Sequence, residues 1–194
     1  MKKGKTEMTG YAVCGSFCTH ERSLSVLSAL VECGEDVVPI LSERVQTTDT
    51  RFGKAADLIA RVEAICGRKA IRTVAEAETL GPATPLEALV ICPCTGNTLA
   101  KLACGVSDGA VTLAAKAHMR QSRPLLIALA SNDAMSSNLA NLATLLMRKN
   151  VYFVPMRQDA PKEKPHSLVA DFSLVAPALR ALREGKQLRP LFLE

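Results

Sequence analysis

Leu89-Val90-Ile91-Cys92-Pro93-Cys94-Thr95-Gly96-Asn97-Thr98-Leu99-Ala100-Lys101 is an apolar run that breaks into small polar residues and then resumes at helical spacing. An unbroken apolar stretch such as 89–92 is the signature of a strand buried on both faces. Pro93 is read as its end, because proline cannot donate to a ladder. Thr95, Asn97 and Thr98 then sit where a helix begins. A helix start needs one capping side chain, and this segment supplies three. The surplus points to a ligand held beyond the carboxyl end of the strand.

The same unit recurs along the chain. Residues 11–14 are short and apolar and end at Gly15-Ser16; Leu24, Leu27, Leu30 and Val31 follow at helical spacing, closed by Gly34. A second strand is read at 37–41, with Pro39 as a complication, and a second helix through Leu58, Ile59, Val62 and Ile65 stops at Gly67. Helices over 97–103 and 111–119 flank the turn Gly105-Val106-Ser107-Asp108-Gly109. A strand at 125–129, a helix through Leu139, Leu142, Leu145 and Leu146, a strand at 151–154 and a last helix over 174–183 complete the pattern. Residues 155–165 read as an irregular loop rich in charge and proline. Apolar strands alternating with helices make a doubly wound parallel α/β sheet of three layers. We expect one domain over 1–194, with about 155–170 as a lid or subunit contact.

Composition narrows the function classes. The chain has 194 residues, 48% of them apolar and 22% charged, which suits an ordinary globular core. No apolar run is long enough to span a bilayer, and the basic start at Lys2, Lys3 and Lys5 leads into no signal-peptide core. A cytoplasmic protein with no membrane partner is expected. A net charge of +5 without a basic cluster, with no Trp and only two Tyr, argues against nucleic acid. The seven irregularly spaced cysteines are read as reduced and free of metal.

Two further loops carry candidate donors. In Cys14-Gly15-Ser16-Phe17-Cys18-Thr19 a glycine turn before a helix leaves backbone N–H groups for an anion, and Ser16 and Thr19 add hydroxyls; simple helix capping is the rival reading. One glycine does not make a dinucleotide fingerprint, and no P-loop lysine is present. Ser42, after the second strand, gains interest only beside the first loop; as a lone serine it caps or turns. His118 is read as a surface or interface residue. His20 is read as a cap or a solvated side chain, with an anion partner as the alternative, and Asp133 as an acid or base or a helix cap.

These residues also resemble a known family. Gly15-Ser16, the segment at 93–101 and Gly105-Val106-Ser107-Asp108 are similar to the flavoprotein superfamily of flavin-dependent cysteine decarboxylases and prenyltransferases. Residues 48–54, 92–101, 114–118, 131–133 and 164–171 resemble one branch, the second subunit of a synthase that makes the pyridine dicarboxylate of bacterial spores. The resemblance covers 10–190. It implies a Rossmann-like or flavodoxin-like sandwich and a cytoplasmic oligomer. It also implies a first subunit that binds NAD(P), and an oxidoreductase reaction in which a tetrahydro precursor loses water and two hydrogens. The family's flavin mononucleotide contacts fall on Gly15, Ser16, Ser42, Thr95, Asn97 and Thr98. Two departures stand out. The decarboxylases' Pro-x-Met-Asn segment is replaced by Ala130-Ser131-Asn132-Asp133, and their catalytic histidine has no counterpart between Arg68 and Pro85. Decarboxylation of a cysteine-derived substrate is therefore disfavoured. A non-catalytic scaffold with a vestigial cleft is the reading from another class.

Overall fold

The computed structural model describes residues 8–81 and 84–194; the basic start at Lys2, Lys3 and Lys5 lies outside them. The chain runs β1 (Met8–Val13), α1 (His20–Glu32), β2 (Asp36–Leu41), α2 (Glu43–Thr47), α3 (Ala55–Cys66), α4 (Val74–Ala77) and β3 (Leu86–Cys94). It continues through α5 (Gly96–Cys104), α6 (Ala110–Arg120), β4 (Leu125–Ser131), α7 (Leu139–Leu146), β5 (Val151–Phe153), β6 (Met156–Arg157), β7 (Leu168–Ala170) and α8 (Val175–Arg183). The sheet order is β2-β1-β3-β4-β7-β6, with β5 also on β4. The pairs β1–β2, β1–β3, β3–β4 and β4–β5 are all parallel.

Both faces of each central strand are apolar, and strand geometry sends alternate side chains to opposite sides. Ala12, Ile40, Leu89, Ile91, Leu125 and Ile127 pack with Leu99, Val111 and Leu142 from α5, α6 and α7. Tyr11, Leu41, Val90 and Leu126 pack on the other side with Leu27, Val62 and Leu179 from α1, α3 and α8. That is the expected sandwich of three layers. Across its middle, Tyr11 donates to the Ser23 carbonyl at 2.9 Å and Ser23 Oγ donates to the Cys92 carbonyl at 2.6 Å, so β1, α1 and β3 share one buried polar chain.

Some expectations are corrected and others refined. Pro93 does not end β3: the strand runs to Cys94, and the register against β4 shifts between Ile91 and Cys94, so the proline occupies an irregularity where a missing donor is tolerated. Pro39 is accommodated because β2 is an edge strand; its carbonyl accepts from Ile71 and Leu41 N–H donates to Ile71 on that outer side. The segment 155–165 is not simply irregular, nor is the sheet wholly parallel. β6 and β7 form an antiparallel pair whose Leu168 and Val169 dock on Ser131 and Ala130 of β4, with Met156, Leu168 and Ala170 buried. Only the tip around 158–166 remains for a lid. The helices α2 and α4 are too short to show a periodic pattern, although Thr73 and Glu76 form a capping box that marks the start of α4.

His118 is not a surface residue. It is 4% exposed, its Nε2 donates to the Pro124 carbonyl at 2.8 Å, and burial pushes its pKa down to about 4. The folded chain therefore resists protonation that the unfolded chain accepts below about 6.5. Stability is unaffected by this group above that pH and is lost progressively as pH falls toward 4. Between neutral pH and about pH 4 the native protein should lose roughly 2–3 kcal/mol more than a His118→Gln variant, whose amide can still donate. Urea unfolding of both proteins at the two pH values checks this, and equal losses would refute it.

Candidate functional site

Because β1 lies between β2 and β3, the loops after all three strands emerge at one end of the sheet. Their first residues are tied together: Ser42 N–H donates to Val13 at 3.0 Å and Cys14 N–H donates to Pro93 at 3.2 Å. This end is where open parallel sheets bind ligands.

The loop after β1 holds its own shape. Ser16 N–H donates to Cys14, and the Ser16 carbonyl accepts from both the amide and the hydroxyl of Thr19, at 2.9 and 2.8 Å. Thr19 is buried, so its hydroxyl is not offered to a ligand. His20 is neither solvated nor a cap. It is 7% exposed, and Nε2 donates to the Cys14 carbonyl at 2.8 Å; burial lowers its pKa. The loop's hydroxyls do not cap either, since Ser16 and Thr19 sit at helix starts without a side-chain capping bond.

Ser42 occupies the N-cap position of α2, yet its side chain caps nothing. Its Oγ is buried beside the Cys14 thiol and has no oxygen or nitrogen partner, the single such side-chain atom among the described residues. A buried hydroxyl left in that state costs about 1–3 kcal/mol. Thr95 does cap α5: its Oγ1 accepts from Thr98 N–H at 3.2 Å and bonds the Thr98 hydroxyl at 3.1 Å. The N–H groups of Gly96 and Asn97 belong to the first turn, where no intrahelical acceptor exists, and the helix dipole adds positive potential.

Gly15, Ser42, Thr95, Asn97, Thr98 and Lys101 line one cavity of about 720 Å³. Five of the six candidate residues thus meet. Ser16 faces a neighbouring cavity of about 530 Å³ instead, and Gly15, Phe17 and Thr95 border both. Lys101 forms an ion pair with Asp108 at 2.7 Å, and that contact holds the Asp108 carboxyl below its usual range. Sequence reading missed the start of α6 as part of the wall, where Gly109 and Thr112 bond each other. The Gly105–Gly109 turn was the available signal.

The chemistry available at the floor is limited. Burial pushes the Cys14 thiol up to about 11 and the Cys92 thiol up to about 12, so neither supplies a thiolate near neutral pH. All seven cysteines are free. Asp133 is the centre of a knot rather than a poised base. Its carboxylate accepts from Ser131, from Ser137 at 3.0 Å and from Asn138 at 2.8 Å, and the Ser131 hydroxyl leads in holding its pKa down. Gly96 presses on that knot: a Cβ there would lie 2.7 Å from both Asp133 and Asn138, whereas one on Gly15 would meet Arg44 Cβ at an ordinary 3.4 Å. Gly96→Ala should therefore destabilise by about 1–3 kcal/mol, and Gly15→Ala by less than about 1 kcal/mol. Denaturant titration of the two variants checks the contrast; equal losses would sink it.

Comparison with known proteins agrees with this geometry. The flavoprotein family model matches residues 3–173. The dipicolinate synthase B subunit of Bacillus subtilis (strain 168) is 38% identical over 194 residues, covering 100% of this chain and 97% of that protein. The crystal structure of the dipicolinate synthase B subunit from Bacillus halodurans C superposes with a TM-score of 0.89 at 37% identity, over 97% of this chain and 96% of that one. The FMN-dependent cysteine decarboxylase SpaF shares the fold, with a TM-score of 0.67 at 22% identity over 92% of this chain and 97% of its own. No helix among the described residues is long and apolar enough to cross a membrane. A full-length likeness at this identity, together with three donor loops at one end of a flavodoxin-like sheet, leads to one conclusion: the chain belongs to the flavoprotein family, on the branch of the dipicolinate synthase B subunit.

Proposed function

We propose that this chain is the second subunit of a dipicolinate synthase, acting in the cytoplasm of sporulating cells with a nicotinamide-dependent first subunit. The pair would convert a tetrahydrodipicolinate-type intermediate to dipicolinate. The observation that carries a ligand-binding rather than a purely structural reading is the buried Ser42 hydroxyl, without an oxygen or nitrogen partner, at the mouth of three donor loops. A flavin mononucleotide fits the residues present. Ser42, Asn97 and the first-turn amides of α5 would hold its phosphate and polar edge, with Thr95 and Thr98 fixing the helix start. Bound flavin supplies two-electron redox chemistry. The NAD(P) of the reaction is assigned to the first subunit, since a loop with one glycine cannot bring its backbone against a dinucleotide pyrophosphate in the usual way.

We further propose self-association. The apolar faces of α5 and α6 are not available for it, as Leu99, Leu102, Val111 and Ala114 are buried in the core of one chain. The surface running from the start of α7 to the residue just past its end is the better one, with Leu139 51% and Met147 81% exposed. Light scattering at micromolar concentration should give an oligomer, and a monomer would overturn this.

Two substitutions test the cleft. Ser42→Ala removes a hydroxyl that lacks an oxygen or nitrogen partner, so it should leave the unliganded chain as stable or up to about 1 kcal/mol more stable. The same change should weaken flavin mononucleotide binding, read by quenching of flavin fluorescence. Asn97→Ala, at an exposed position, should lower flavin affinity by roughly five- to hundredfold while the fold survives. When mixed with the first subunit plus a nicotinamide cofactor, its dipicolinate formation should fall in parallel. If that mixture assembles and keeps full activity, the chain is a scaffold. Full activity of the isolated first subunit would remove this chain from the chemistry.

A further inference from the structure

The second cavity, of about 530 Å³, shares its Gly15–Phe17 border with the first and is bordered on another side by the β6–β7 hairpin. Its character differs. Where the first cavity offers hydroxyls and helix amides, this one presents Arg22 from α1, Arg51 from the turn before α3, and Lys164 from the hairpin. Lys164 is paired with Asp159 at 3.0 Å. Arg22 and Arg51 are different: neither has a carboxylate partner among the described residues, and each instead lies over an aromatic ring. The Arg22 guanidinium sits 5.1 Å from the Phe172 ring centre and that of Arg51 4.8 Å from Phe52. Stacking holds the plane of a guanidinium while leaving its edge N–H groups free for a planar anion.

Neither acid that borders the cavity forms an ion pair with these arginines. Asp133 is fully engaged by Ser131, Ser137 and Asn138, and Asp159 by Ser167 and Lys164. Arg51 is also firmly presented. Thr50 and Gly53 exchange backbone hydrogen bonds at 3.0 and 3.1 Å, Phe52 N–H donates to Thr50 Oγ1, and Gly53 takes a φ of +145° that a side chain rarely adopts. Asp49 accepts from Ala55 N–H at 2.9 Å and ties the turn to the start of α3. Two uncompensated, aromatic-braced forks from separate elements thus border one small cavity, with the Ser16 and Asn132 side chains beside them.

We infer that this second cavity binds a small dicarboxylate, Arg22 and Arg51 each pairing with one carboxylate and Phe52 covering the spacer between them. The assignment rests on the proposed synthase function, and it gives the substrate a place separate from the flavin cleft but sharing its Gly15, Phe17 and Thr95 border. Inorganic phosphate is the natural competitor, and the helix-start amides suited to it lie in the first cavity.

Calorimetric titration of the flavin-free chain with pyridine-2,6-dicarboxylate tests this without any need for activity. Wild type should bind it, and pyridine-2-carboxylate and inorganic phosphate at least roughly tenfold more weakly. Arg22→Gln and Arg51→Gln should each lose roughly tenfold or more, with Arg51→Lys recovering part of the loss. Flavin mononucleotide titrations of these variants should match wild type, and circular dichroism should show their fold intact. Conversely, Ser42→Ala should leave the dicarboxylate titration unchanged. Absence of dicarboxylate binding by wild type, wild-type affinity in both glutamine variants, or equal binding of the monocarboxylate overturns the inference. A chain that binds the dicarboxylate through both arginines but no flavin supports it and refutes the flavin reading alone.

Discussion

The approach of β1 to β3 sets the position of nearly everything else. At Gly10 a Cβ would lie 2.6 Å from Leu86 and 2.7 Å from Leu89, so the absence of a side chain is what allows those leucines to pack across the strand. With β1 seated there, Cys14 donates to Pro93 and Ser42 donates to Val13, and three loops distant in sequence begin at a common line. The Tyr11–Ser23–Cys92 hydrogen bonds lock α1 to the same seam from the other face. A shift of one residue in this pairing would exchange the two core faces and scatter the loops.

From that line the molecule separates two kinds of polar surface. On one side of the Gly15–Phe17 ridge are hydroxyls and helix-start amides; on the other are two arginines without acid partners among the described residues. The ridge itself is stiff, because His20 and Thr19 are buried and bonded to its carbonyls. Groups that a first reading would suspect of catalysis are silent for physical reasons. The floor thiols are held protonated by burial, Asp133 is stabilised as a carboxylate by its donors, and both His20 and His118 are kept neutral by burial. What remains reactive or adhesive is therefore at the rims.

Much of the site was legible because loop chemistry is local. The excess of donors at Thr95, Asn97 and Thr98, and the glycine turn at Gly15, could be recognised without knowing what lay opposite. Other features depended on partners far away in the chain. The reading of His118 failed since exposure is a property of the packed helix α6 and not of its neighbours in sequence. The reading of 155–165 as irregular missed only Met156–Arg157, a two-residue strand whose pairing with β7, and through it with β4, comes from another part of the chain. Arg22 and Arg51 looked like ordinary solvated residues, one on a helix and one in a turn.

By itself the sequence determined the class of fold and where three of its helices stop. Continuous apolar strands force burial on both faces, and Gly34, Gly67 and Gly105 stop helices by adopting positive φ. Only the tertiary structure decided which donors stay free. Whether the Ser42 hydroxyl finds a partner, whether Lys101 keeps its charge to itself, and whether two arginines meet over one cavity all depend on the order β2-β1-β3 and on the hairpin docked beside it. A hydrogen bond or ion pair is made or missed over a few ångströms, and chain spacing alone does not set distances of that size between separate elements.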